Sequence, residues 1–217
     1  GIQSPTDLEG RRVGVRGYTV TTGVWVRGIL NSVYGVDLDQ VTWVLSGDEH
    51  VAEYVAPSNV ETADSGDLRA MLASGEIDAA IGAPASDSPD IQPLIPDARA
   101  AGAEYFGNTG IYPINHSVVV RDDVLEANPW LAKELFTMFT AAKRTYLESV
   151  RSNRDDMNSA DKALMDVTEI VGDDPLPYGL VSSMPALEAL IQFCVDQQVI
   201  PEKVEPEQVF APSTLTL

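Results

Sequence analysis

The chain has 217 residues, 44% of them apolar, which is enough for one large or two small domains with a hydrophobic core. Its formal charge is −19, with four lysines against ten arginines. Nothing here could neutralise a phosphate backbone, so nucleic acid is not an expected partner. No stretch approaches the roughly 18 apolar residues of a membrane span. With two histidines and one cysteine, a zinc site has no ligand set. The acidic residues are dispersed, which argues against an acidic interaction tail and fits a salt-adapted host as well as an ordinary acidic cytosolic protein. A ligand anion would meet long-range repulsion, so any anion site must be local and strong. Cys194, in the apolar run 190–195, reads as a buried, inert thiol. Residues 1–5 carry no initiator methionine or signal segment and read as a chain entered midway.

In chain order, residues 4–9 predict a capped helical turn closed by Gly10. Residues 12–16 predict a strand, and about 20–34 a helix ended by Gly35. Val24, Ile29, Leu30 and Val33 form the apolar face of that helix, with Arg27 and Asn31 on the polar one. Residues 41–45 alternate around Trp43 as a second strand, and 46–64 read as loop with room for one short strand. Asp67 opens a helix over 68–74 that Gly75 stops, and 77–82 is a compact buried strand. The Pro-rich stretch 83–97 is loop, either on the surface or beside a site. After a short segment at 98–101, residues 117–121 predict a strand buried on both faces. A long amphipathic helix runs from 128 to about 150. Further helices over about 160–171 and 184–198 flank the loop 173–179. Strand–helix alternation up to His116 and helices beyond it imply an α/β protein that changes layer near 116–121.

The most informative stretch is 13–27, a strand, a Gly-containing turn and a helix start bearing Thr19, Thr21 and Thr22. A helix's first turn presents unpaired N–H groups and a partial positive charge, so it can hold a carboxylate or phosphate. Threonine hydroxyls add donors and Arg16 could close on the same anion. The competing reading is an ordinary Thr-capped helix.

The phrases "SPTDLEGRRVGV", "GVWVRGILNSVYGV", "LRAMLASGEIDAAIG", "ANPWLAKELFTMFTAAK", "DPLPYGL" and "EQVFAPSTL" fall in an order that resembles the 4,5-dihydroxyphthalate decarboxylase-like family. The resemblance covers nearly the whole chain; the Trp25–Gly28 helix, the PLPYG loop and the FAPSTL tail are its more specific parts. It implies a type II periplasmic-binding-protein-like α/β fold of two lobes, one only partly present because family members run longer at the N-terminus. Residues 1–116 would then be mostly the second lobe. Residues 117–217 would be a hinge strand and the C-terminal part of the first lobe with its packing helices. Arg16–Val20 stands where relatives often carry a Pro-Glu-Tyr-Gln-Met-like run, so Tyr18 is kept while a carboxylate is lost and an arginine gained.

On this resemblance the expected function is a cofactor-independent aromatic carboxy-lyase, cytoplasmic, acting on a small aromatic anion without a metal. Arg16, Tyr18, Thr19, Thr21 and Thr22 would form the anion cradle. Trp25 would stack on the ring, unless it is a core tryptophan. Tyr112 and Asn115 would bond phenol or carboxylate oxygens, and His116 would donate the proton, unless it is a structural histidine. His50, in an acidic loop, reads as solvated, and Asp78 as a possible neighbour of the site. The alternative is a non-catalytic solute-binding protein, periplasmic or extracellular, capturing a small organic anion for a transporter. A relative that neither binds nor reacts is the third reading. The oligomeric state is not legible.

Overall fold

The structure is a computed structural model that describes every residue except 50, 52, 65, 85 and 87. The chain forms two compact units, one of Gly1–Ala101 with Leu190–Lys203, the other of Gly102–Ala189 with Val204–Leu217.

The first unit is an α/β unit. Four parallel strands, β1 (Arg12–Val15), β2 (Thr42–Leu45), β3 (Val60–Thr62) and β4 (Ala79–Ala80), make a sheet in the order β3-β2-β1-β4. Val13 pairs with Trp43 on one side and Ala79 on the other. Between β1 and β2 lies α1 (Thr21–Tyr34), and α2 (Leu68–Ser74) precedes β4. Alternation along the strands sorts the core into two clusters. Val13, Val15, Trp43 and Leu45 join Leu8, Leu30 and Val36 in one; Val44 joins Leu68, Met71 and Ile77 in the other.

Both helices stop as their sequences require. Gly35 and Gly75 are left-handed caps whose N–H groups return to the last turn, and Asp67 caps the start of α2 through the Arg69 and Ala70 N–H groups. At the start of α1 the N-cap is Val20, with no side-chain cap, so the Thr-capped reading is set aside. One face of α1 also differs from expectation. Arg27 is fully buried and Val33 is 52% exposed, the reverse of their periodic assignment; polar partners inside the unit accept from two of the three guanidinium nitrogens, Nε and Nη2. The end of α7 (Leu180–Asp196) packs on α1. The Phe193 ring lies edge-on to Trp25 at 5.7 Å. It also lies so close to Gly28 that a Cβ there would overlap the ring, with Cε2 only 2.6 Å away. Cys194, on the same turn, is half-buried rather than buried, and burial pushes its thiol up.

The second unit is helical among its described residues. It contains most of α3 (Ala98–Thr109), α4 (Asp122–Ala127), α5 (Leu131–Ser152), α6 (Ser159–Val171) and the start of α7. Among the described residues, 117–121 pair with no strand, and Val118 and Val119 are exposed at 63% and 89%. Their β-branched run has strand propensity but no neighbouring ladder within the unit. The helix α3 is longer than its sequence suggests and tolerates Gly102 and Gly107 in its interior, while α7 starts before Pro185 and carries it within the helix. Lys143 of α5 fastens the loop after α6, donating to Asp174 Oδ2 and to the Leu176 carbonyl, both at 2.7 Å, with its ammonium 4.3 Å from the Tyr178 ring centroid. Among the described residues no helix is long and apolar enough to cross a membrane.

Candidate carboxylate-binding site

The sheet order singles out one location. The chain builds β1, β2 and β3 outward in one direction and then places β4 on the other side of β1. Such a reversal opens a crevice beyond the carboxyl ends of the strands, where open α/β sheets bind ligands. Residues 16–20 leave β1 at that point and lead into α1.

There the turn holds a carboxylate supplied by the chain itself. Tyr18 donates its backbone N–H to Glu49 Oε1. Thr19 donates its N–H to Glu49 Oε2 at 3.0 Å and its hydroxyl to the same oxygen at 2.5 Å. Three donors converge on one carboxylate just ahead of a helix N-terminus, an arrangement that favours negative charge. Glu49 arrives from the segment after β2.

Beneath the turn is a buried cation. The Arg27 Nη2 donates to the Tyr18 carbonyl at 2.6 Å, and Nε to Gln197 Oε1 at 2.7 Å. Gln197, 3% exposed, is itself fixed by donating to the Val24 carbonyl at 2.9 Å. The guanidinium lies 4.0 Å above the Tyr18 ring centroid and 5.4 Å from that of Trp43. Its Nη1, against the first turn of α1 beside Gly23, has no hydrogen-bond partner among the described residues. Burial pulls the Arg27 pKa down, opposed by the nearby Tyr18, Tyr54 and Glu49. Tyr54 stacks on Tyr18 with centroids 6.3 Å apart and donates its hydroxyl to the Gln198 carbonyl. Burial raises the Tyr18 phenol, and burial with the charge of its neighbours pushes Tyr54 up to about 12.

Of the expected site residues, the structure joins Tyr18 and Thr19 on a carboxylate through their backbone and hydroxyl groups. Arg16 is exposed at the end of β1, Thr21 is half-buried and Thr22 exposed. Trp25 is 4% exposed, within the core. Asp78 accepts from the Arg12 N–H at 3.0 Å and lies 3.5 Å from the Arg11 guanidinium. His50 lies outside the described residues. In the second unit, Asn115 and His116 are exposed on the segment after α3. Tyr112 lines a cavity of about 210 Å³ with Phe106, Asp174 and Ser183. Among the described residues no three histidine, cysteine or acidic side chains gather as a metal site. Sequence reasoning missed Glu49, Arg27 and Gln197. Glu49 is 30 positions from Thr19 and Gln197 is 170 from Arg27, and no local pattern carries pairings of that range.

The class defined is an α/β chain with a carboxylate-accepting turn at the reversal point of a parallel sheet. No family model matches the chain. It is 29% identical over 231 aligned positions to a 4,5-dihydroxyphthalate decarboxylase of Comamonas testosteroni, covering 99% of this chain and 70% of that protein. To a 4,5-dihydroxyphthalate decarboxylase of Pseudomonas putida it is 37% identical over 119 positions, 49% of this chain and 46% of the relative. These similarities support the resemblance to the 4,5-dihydroxyphthalate decarboxylase-like family.

Proposed function

We propose that the protein is a cofactor-independent aromatic carboxy-lyase of the 4,5-dihydroxyphthalate decarboxylase type, cytoplasmic and built on a type II periplasmic-binding-protein-like fold. The observation that carries this reading is the convergence of the Tyr18 and Thr19 donors on a carboxylate. The names of the two relatives supply the reaction. In this reading the turn holds one carboxylate of an aromatic dicarboxylate. Arg16, Thr21 and Thr22 add positive charge and hydroxyl donors, with Trp25 supporting the helix behind them. Tyr112 and Asn115 bond ring substituents, and His116 is the proton donor.

The chemistry needs no electron carrier. A proton adds to the ring carbon bearing the departing carboxylate. A hydroxyl para to that carbon delocalises the resulting charge. The carbon–carboxylate bond then breaks, its electron pair restores the aromatic ring, and CO2 leaves. One carboxylate remains on the product. The donor must hold its proton at the working pH and regain one each turnover, which suits an imidazole.

The test is CO2 release from 4,5-dihydroxyphthalate by the wild-type protein beside His116→Ala. Release that falls at least about 100-fold in the variant is the expected result for a general acid. Saturable binding of the dicarboxylate with no release would move the protein to the solute-binding class.

A further inference from the structure

We propose that Glu49 is an intramolecular stand-in for the ligand: its carboxylate occupies the Tyr18–Thr19 cradle and is displaced by a carboxylate of the substrate. The inference rests on the carboxylate-site reading above and adds a gate to it.

Two independent features point to exchange rather than to a permanent structural contact. The first is the donor set. Two backbone N–H groups and a hydroxyl on a half-buried turn recognise a carboxylate by its charge and two oxygens; none of them distinguishes a glutamate from a benzoate. The second is Arg27. Its guanidinium is fully buried, touches no carboxylate among the described residues, and keeps one nitrogen unpartnered against the first turn of α1. If Glu49 simply left, the three cradle donors would lose their acceptor and Arg27 a nearby negative charge that offsets its burial. A second carboxylate arriving as Glu49 departs avoids that loss. The gate thus favours anions able to replace a glutamate, in a protein whose charge of −19 repels anions at long range.

A tethered competitor lowers apparent affinity by the fraction of time it holds the site. Phthalate (benzene-1,2-dicarboxylate) is the probe, titrated calorimetrically into the wild type, Glu49→Gln and the double variant Glu49→Gln/Thr19→Val. Glutamine keeps the shape and removes the charge, and the double variant reads the Thr19 donor without the tethered carboxylate that uses the same hydroxyl. The proposal expects Kd for phthalate to tighten about tenfold or more in Glu49→Gln and to weaken again about tenfold when Thr19→Val is added. Unchanged or weaker binding in Glu49→Gln, with the double variant weaker still, overturns the gate and leaves the carboxylate site standing. Binding indifferent to the added Thr19→Val, or absent throughout, overturns the site itself.

Wild-type protein gives a check that no folding defect can obscure. Saturating phthalate should shift the Tyr18 and Thr19 amide resonances together with the Glu49 side-chain carboxyl carbon. A carboxyl carbon that stays put while both amides move contradicts displacement.

Discussion

Replacing Arg27 with methionine tests the support beneath the cradle. Methionine matches much of the length and volume but donates no hydrogen bond. The substitution strands the Tyr18 carbonyl and Gln197 Oε1, which now accept at 2.6 and 2.7 Å. Each buried acceptor left without a donor costs about 1–3 kcal/mol. Loss of the cation over the Tyr18 ring, 4.0 Å away, adds about 1 kcal/mol. Opposing this, the variant no longer buries a charge with an unpaired Nη1, and replacing buried ionic groups by apolar ones can recover several kcal/mol. The balance is a net loss of about 3 kcal/mol. Urea unfolding reads it as a lower midpoint at unchanged slope. Arg27→Lys should lose less, about 1–2 kcal/mol, since one ammonium cannot span both acceptors as a guanidinium fork does. A methionine variant as stable as wild type, or more so, would refute the reasoning and make desolvation of the charge the dominant effect.

Gly28→Ala should cost about 1–3 kcal/mol, because its Cβ would overlap the Phe193 ring and force α1 and the end of α7 apart; an unaltered thermal midpoint would contradict that packing. Lys143→Met should cost under about 1 kcal/mol, since water can reach the exposed Asp174 carboxylate and Leu176 carbonyl that the ammonium releases, but limited proteolysis should then cut faster within 174–178. Tyr54 has a folded pKa of about 12 against the usual 10.0, raised chiefly by burial. The folded state therefore holds this proton more tightly than the unfolded chain. Its stability contribution is complete below about pH 10 and is lost as pH rises through about 12. Absorbance titration near 295 nm should show a late tyrosinate step that Tyr54→Phe removes; an identical titration in the variant would contradict the assignment.

Much of the α/β unit was legible because its signals are local. The bounds of α1 and α2 follow from Gly35, Asp67 and Gly75, whose effects reach only a turn. The strand at 12–15 and the turn that follows could be read from apolar alternation and the threonine cluster, and the structure puts Thr19 on a carboxylate. What was not legible depends on partners distant in sequence. Arg27 looked like a surface residue because periodicity cannot register Gln197 and the Tyr18 carbonyl waiting inside. Residues 117–121 looked like a strand because propensity is carried by Val118, Val119 and Val120, whereas pairing requires a neighbour. Glu49 lies in a segment with no periodic pattern, so its place in the cradle could not be read from the segment itself.

The reading of function turns on the Tyr18–Thr19 cradle as the place where a substrate carboxylate is held. The most direct test is kcat/KM for CO2 release from 4,5-dihydroxyphthalate by Glu49→Gln and by Glu49→Gln/Thr19→Val, in which one hydrogen bond to the substrate carboxylate is lost, both backbone donors remain and no tethered carboxylate competes for them. A hydrogen bond to a charged group is worth about 1.5–3 kcal/mol, so the account predicts a fall of about 10- to 100-fold. A folded double variant that retains the kcat/KM of Glu49→Gln would contradict it.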